Sequence, residues 1–286
     1  MSKKAAGLLI NLGLYAVAFA AGLVPFIFIG NLLLAEAAFT GIATLVIYVT
    51  TCFVPDTSLY DPYWSVAPPV MLLAAMIKHG LFSANALILL CAVTVWSIRL
   101  TVNWAVTYKG LLNEDWRYRS YREKYGKLTF ALINFIGLQY VPTIVVYAGL
   151  IGAFFIIQTT GFSIMLLPGI AVMLLGVALE FFSDRAIHRF LRENKGTRKT
   201  CDISVWKYSR HPNYLGEMTF WTGIFIAFLG VRPDIWYYGL GFLLIIALFL
   251  TVSIPLMEKH NMERREDYPD YKARTSVLLL LPPKKL

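Results

Sequence analysis

Residues 209–217 read SRHPNYLGE, a compact polar string between two apolar stretches. Its residue types suit the binding of an anion and an amide. Pro212 fits the first turn of a helix, with His211 just ahead of it. A helix starting there presents free backbone N–H groups, a ready site for phosphate, and Arg210 would add a bidentate phosphate contact. Asn213 and Glu217 are i and i+4, so they share a face and offer amide donors and a carboxylate together. The plainer alternative is a capped helix start carrying an interfacial Tyr and Arg. Upstream, Glu180, Asp184, His188 and Arg192 recur every four residues and fall on one helix face. Snorkelling cations and i,i+4 ion pairs would account for much of that pattern. Glu180, at the inner end of an apolar stretch, points instead to a polar cavity.

The N-terminal half carries a second polar set in YDPYWSVAPP (60–69) and NEDWRYRSYREKYG (113–126). Asp61, Tyr63, Trp64, Asp115, Trp116, Arg117 and Tyr118 are either headgroup-level anchors or the lining of a site, since Trp and Tyr favour that depth. Arg99 and Asn103, four apart within an apolar run, are expected to point into a bundle.

The elements that must position these groups are membrane helices. Of the 286 residues, 58% are hydrophobic and 15% charged, and the mean hydropathy is +0.62. Apolar segments fall at 5–30, 37–54, 66–82, 84–106, 128–157, 163–183, 212–230 and 235–256, each near the ~20 residues that cross a bilayer. The weakest is 66–82, which opens on Pro68 and Pro69 and ends on Lys78 and His79. The long 128–157 segment contains Pro142, so the expectation is either a kink or an interfacial helix at its start. The N-terminus could be read as a signal peptide with Ala18 and Ala20 near a cleavage site, but the topology works better if it stays as a helix.

The net charge of +9 is concentrated in 107–127, in 184–211 and after residue 257. Eight passes with a cytosolic N-terminus put all three on the cytosolic side, as the positive-inside rule requires. Short basic loops between apolar segments argue against nucleic acid as partner. Cys52, Cys91 and Cys201 form no CxxC or Cys/His cluster, so neither a disulfide nor a metal site is expected.

DISVWKYSRHPNYLGEMTFWTGIF, with YDPYWSVAPP, RLTVNWAVTYKGLLNEDWRY (99–118), the Asp184 helix and PLMEKHNMERREDYPDYKARTSVLLLLPP (255–283), resembles the steroid 5-alpha-reductase superfamily. That superfamily includes sterol reductases and isoprenylcysteine carboxyl methyltransferases, and the chain is most similar to its branch of unknown function. The resemblance implies that the C-terminal half cradles NADPH. It places Asp184, Tyr208, Arg210, His211, Asn213, Tyr214 and Glu217 in cofactor-binding motifs, and Tyr271 and Arg274 in the tail motif. One departure is Ser204, at a position that is often Gly in such sequences, which puts a tight turn in question. No GxGxxG fingerprint is present, so the cofactor would be held by membrane helices.

Reducing an activated C=C bond takes a hydride to one carbon, a proton to the other, and a polar donor for charge developing on a carbonyl oxygen. Tyr63 and Tyr118 are the candidate catalytic groups, with Tyr108 a further possible donor. Asp61, Trp64, Arg99 and Asn103 are candidates for the substrate side. The expectation is therefore an all-α, polytopic membrane bundle of about 7–8 transmembrane helices, one integral domain over 1–286. Residues 1–127 would form the substrate side and 128–286 the cofactor-binding half. The function expected is NADPH-dependent reduction of an apolar substrate, in a bacterial inner membrane or endoplasmic reticulum with both termini cytosolic. The alternatives are an S-adenosylmethionine-dependent methyltransferase and a non-catalytic scaffold. Oligomeric state is left open.

Overall fold

The computed structural model describes residues 2–285. Among them the fold is helical throughout: α1 Lys3–Leu23, α2 Pro25–Phe28, α3 Leu32–Phe53, α4 Tyr63–His79, α5 Ala84–Thr107, α6 Trp116–Lys124, α7 Lys127–Leu132, α8 Val141–Ile157, α9 Leu167–Glu193, α10 Pro212–Val231, α11 Phe242–Leu248, α12 Ile254–Arg264 and α13 Tyr268–Arg274. Seven stretches are long and apolar enough to cross a membrane: 3–28, 32–53, 84–107, 127–157, 164–193, 212–231 and 233–264. This is an all-α polytopic bundle.

The chain divides into two compact units, 1–162 and 163–286. The division falls at the end of α8 rather than near residue 127. Within unit 1 the α8 segment packs on α3, α4 and α5, and the apolar core includes Phe39, Ile47, Met71, Trp96 and Phe154.

Local chemistry sets the helix ends. Asn31 caps α3 by accepting from the Leu34 N–H at 3.0 Å, and Ser83 caps α5 through the Ala86 N–H at 3.2 Å. Gly80 ends α4 in the left-handed conformation (φ 66°), where a Cβ would be strained. Two boundaries differ from the sequence reading. Helix α3 starts at Leu32, not 37, because its cap lies at Asn31, and this draws Glu36 into the helix. Helix α4 starts at Tyr63, so Pro68 and Pro69 lie inside it rather than at its start. Neighbouring helices and side-chain hydroxyls make such prolines tolerable in a membrane helix. Nearby, the Ser65 hydroxyl donates to the Pro62 carbonyl at 2.9 Å and lies 3.0 Å from the Thr101 hydroxyl, which ties the start of α4 to α5. The irregularity expected at Pro142 is a π-helical stretch, Ile133–Tyr140, immediately before α8. The wider turn accommodates a ring that supplies no N–H.

Unit 2 is built on the α9–α10 pair. A Cβ on Gly176 would lie 2.6 Å from the Gly216 carbonyl, and one on Gly223 would lie 2.6 Å from the Met173 nitrogen. Glycine at these places lets the two backbones approach closely, the small-residue packing of membrane helices.

Candidate functional site

In unit 2 the SRHP string is fixed by the C-terminal tail. The Arg210 N–H donates to the Ser276 carbonyl at 2.9 Å, and the Ser209 hydroxyl donates to the Leu278 carbonyl at 2.7 Å. Beneath them, Glu258 of α12 gathers four groups. Arg210 Nε and His211 Nε2 each lie 3.0 Å from its Oε1, the Tyr268 hydroxyl donates to it at 2.9 Å, and Lys272 Nζ is 3.1 Å from Oε2. Arg210 also donates to the Lys272 carbonyl at 2.7 Å. Glu258 was missed in the sequence, although a carboxylate at the inner end of the last apolar run is itself a signal.

The other C-terminal candidates separate into four groups. Tyr214 stacks on the His211 ring at 5.3 Å, and Tyr208 is exposed beside them. Asn213 is half-buried on the first turn of α10, with Glu217 buried one turn further in. Asp184 is half-buried on α9 one turn beyond the fully buried Glu180. Tyr271 donates to the Trp206 carbonyl at 2.6 Å, and Arg274 pairs with Asp202 at 2.8 Å. Tyr271 and Arg274 also line a cavity of about 350 Å³ together with Thr200, Asp202, Asp267 and Asp270. Asp267 is held below the ordinary carboxylate range: burial opposes this, but hydrogen bonds from Thr200 outweigh it. The three carboxylates Asp202, Asp267 and Asp270 around this cavity repel phosphate. Ser204 adopts φ 53°, so the turn keeps the left-handed shape that glycine favours.

Unit 1 holds the second site. Residues 56–60 fold inward and are buried. Asp56 accepts from the Ser58 and Leu112 N–H groups at 3.1 and 2.7 Å. Glu114 accepts from the Thr57 N–H at 2.9 Å and from Arg122 at 2.7 Å. Tyr118 donates to Asp61. Burial pushes the Asp61 carboxyl up to about 6, against the opposing pull of Arg117 and Tyr118. Burial and the Asp61 charge together hold the Tyr118 phenol well above its ordinary value. Trp64 packs on Trp96 at 6.1 Å. Arg99 and Asn103 are half-buried on α5, one and two turns beyond Trp96. Tyr108 is buried and stacks on Trp104 at 4.7 Å.

Tyr63 lies deeper. Its hydroxyl is 3.0 Å from the Thr40 hydroxyl and 3.2 Å from the Thr40 carbonyl. One turn along α3 from Thr40 is Glu36, fully buried, with neither carboxyl oxygen hydrogen-bonded. It lies within electrostatic reach of Tyr63 and Tyr147. An apolar segment that begins at residue 37 places Glu36 in a loop, whereas α3 includes it. The lone acid in LLLAEAAF was the signal.

A family model described as "Protein of unknown function (DUF1295)" matches residues 47–275. The chain belongs to that family. The match takes in the buried 56–60 segment, the SRHP string and Glu258, and leaves Glu36 outside it. No curated protein and no solved structure matches the chain.

Proposed function

We propose that the chain is a membrane-embedded reductase that adds hydrogen across a C=C bond of an apolar, enone- or sterol-like substrate, with NADPH as the hydride source. The observation that carries this reading is Glu36, a fully buried carboxyl beside the Tyr63 hydroxyl among apolar helices. Ionisable groups at such depth mark functional sites. An unsatisfied carboxyl there awaits a polar atom, and the carbonyl oxygen of an otherwise apolar enone supplies one. Tyr63 and Glu36 can stabilise charge developing on that oxygen as the double bond accepts hydride. The other carbon still needs a proton. Methyl transfer from S-adenosylmethionine to a carboxylate needs no internal proton donor, so this pair favours reduction.

The residues at the Pro212 end of α10 fit a dinucleotide. The first-turn N–H groups, Arg210 and Lys272 suit phosphates, and buried Glu217 suits an amide donor. Glu258 fixes Arg210 and His211 in place, which preorganises the cradle but leaves Arg210 less charge to offer. When bound, NADPH supplies the hydride. The resemblance to the 5-alpha-reductase superfamily supports the same assignment.

Calorimetric titration of the purified protein tests it. NADPH should bind, and Glu217→Ala should weaken binding about tenfold, or ~1.4 kcal/mol. Glu36→Gln and Tyr63→Phe should leave that affinity unchanged, and lipids of a strain carrying either variant should accumulate a species with one extra C=C bond. Binding of S-adenosylmethionine without NADPH would overturn the reading.

A further inference from the structure

Reduction consumes a proton inside the hydrocarbon region, where bulk water cannot deliver it. Unit 1 contains a line of hydroxyls suited to that task. The Tyr60 hydroxyl is 2.8 Å from the Thr143 hydroxyl, and Thr143 is 2.9 Å from Thr44. The Tyr63 hydroxyl lies 3.0 Å from the Thr40 hydroxyl, and Thr44, one turn along α3 from Thr40, acts on the same phenol. In the Tyr60–Thr143, Thr143–Thr44 and Tyr63–Thr40 pairs either oxygen can be the donor. All five side chains are buried. The line starts beside Asp61 and ends one helical turn from Glu36.

We propose that Tyr60, Thr143, Thr44, Tyr63 and Thr40 form a proton relay joining Asp61, at the loop end of unit 1, to Glu36 in its apolar interior. The proposal rests on the reductase reading for its purpose, though not for its test. Each hydroxyl accepts a proton on its oxygen and releases its own to the next. The net change is one proton lost by the Asp61 carboxyl and one gained by the Glu36 carboxylate, after which the hydroxyls rotate back. At the two ends, Asp61 neighbours Tyr60 in the chain and Glu36 lies one helical turn from Thr40, and the relay as proposed uses a bridging water at each.

Three features argue for transport rather than packing. The line is made of groups that both donate and accept. It joins two carboxyls. It also runs between helices, with α3 supplying Thr40 and Thr44, α8 supplying Thr143, and the 57–63 segment supplying Tyr60 and Tyr63. The groups facing Asp61 are Tyr118, Arg117, Asp115, Asp56, Tyr60 and Tyr15. This mixed set leaves Asp61 able to hold or release a proton near neutral pH.

The test is hydrogen–deuterium exchange of the Glu36 carboxyl, followed by infrared spectroscopy of the full chain in lipid nanodiscs at pH 7, without cofactor or substrate. The Glu36 band is the carboxylic C=O band that Glu36→Gln removes. On transfer to D2O, Thr44→Val and Thr143→Val should each slow its exchange at least tenfold. Thr44→Ser and Thr143→Ser, which keep the hydroxyl, should exchange at the wild-type rate. Thr50→Val, on α3 but off the line, should also leave the rate unchanged. Wild-type exchange in the Val variants overturns the relay, as does equal slowing in the Ser and Val variants, or the absence of a band sensitive to Glu36→Gln. Loss of NADPH binding would instead strike the reductase reading and leave these rates untouched.

Discussion

Arg210 and His211 illustrate how a residue's type can suggest one job while its partners give it another. By type they are phosphate and ribose ligands. In the fold they share the Glu258 carboxylate with Tyr268 and Lys272, a concentration of opposite charge that offsets the desolvation of each member. Asp61 is the converse case, a carboxyl whose environment favours its neutral form. Its folded-state value near 6 lies above the ordinary 3.8. The stability it contributes is therefore fully present below about pH 4 and is lost as pH rises through 6. Asp61→Asn, which stays neutral, should unfold at the wild-type temperature at pH 4 and above it at pH 7.5. Thermal unfolding across that range measures the widening gap. A constant difference would mean that Asp61 does not titrate there.

At the scale of elements, the proposed cradle depends on a turn and a close helix pair. Ser204 holds φ 53° at the start of the short helical turn 204–207, and Trp206 in that turn donates to the Ser183 carbonyl of α9 at 2.9 Å. A side chain in the left-handed region costs roughly 1–2 kcal/mol. Ser204→Gly relieves this, while adding chain entropy to the unfolded state. The net gain should be about 0.5–1 kcal/mol, read as a rise in unfolding temperature with NADPH binding unchanged. A fall in stability would show that the Ser204 side chain does more than occupy the turn.

At the scale of the whole molecule, helix connectivity sets sidedness. In unit 1, Lys78 Nζ donates to the Ile29 carbonyl at 2.7 Å, which joins the α4–α5 turn to the start of α3. Lys4 Nζ donates to the Val106 carbonyl at 2.9 Å, which joins the N-terminus to the end of α5. Helix α4 therefore runs from one end of unit 1 to the other, although it falls outside the seven apolar spans. Unit 1 then makes five traverses and unit 2 three. Both parities are odd, so residue 162 should lie across the membrane from both termini. Reporter fusions after residue 162 and at residue 286 should signal opposite compartments, with the C-terminal fusion cytosolic because the basic loops lie on its side. Two signals from one compartment would remove α4 or another helix from the count. Leu12, Ile27, Phe53, Ile77 and Leu175, exposed on α1, α2, α3, α4 and α9, suit hydrocarbon.

Much of this was determined by the sequence alone. Apolar runs of about twenty residues can only be helices in a bilayer, because every backbone N–H needs a partner within its own segment. Pro212 and the polar string before it mark the start of α10 for equally local reasons. What only the tertiary structure decided is which polar groups meet. Glu258 lies 47 residues from His211 along the chain, and Thr143 lies 99 from Thr44. Hydrophobic periodicity orients a helix face but does not say which distant hydroxyl or carboxyl will face it. Glu36 shows how fine that limit is. A start at 37 leaves it in water, whereas the cap at Asn31 carries it into the core, and only the fold brings Tyr63 and Tyr147 within electrostatic reach of it.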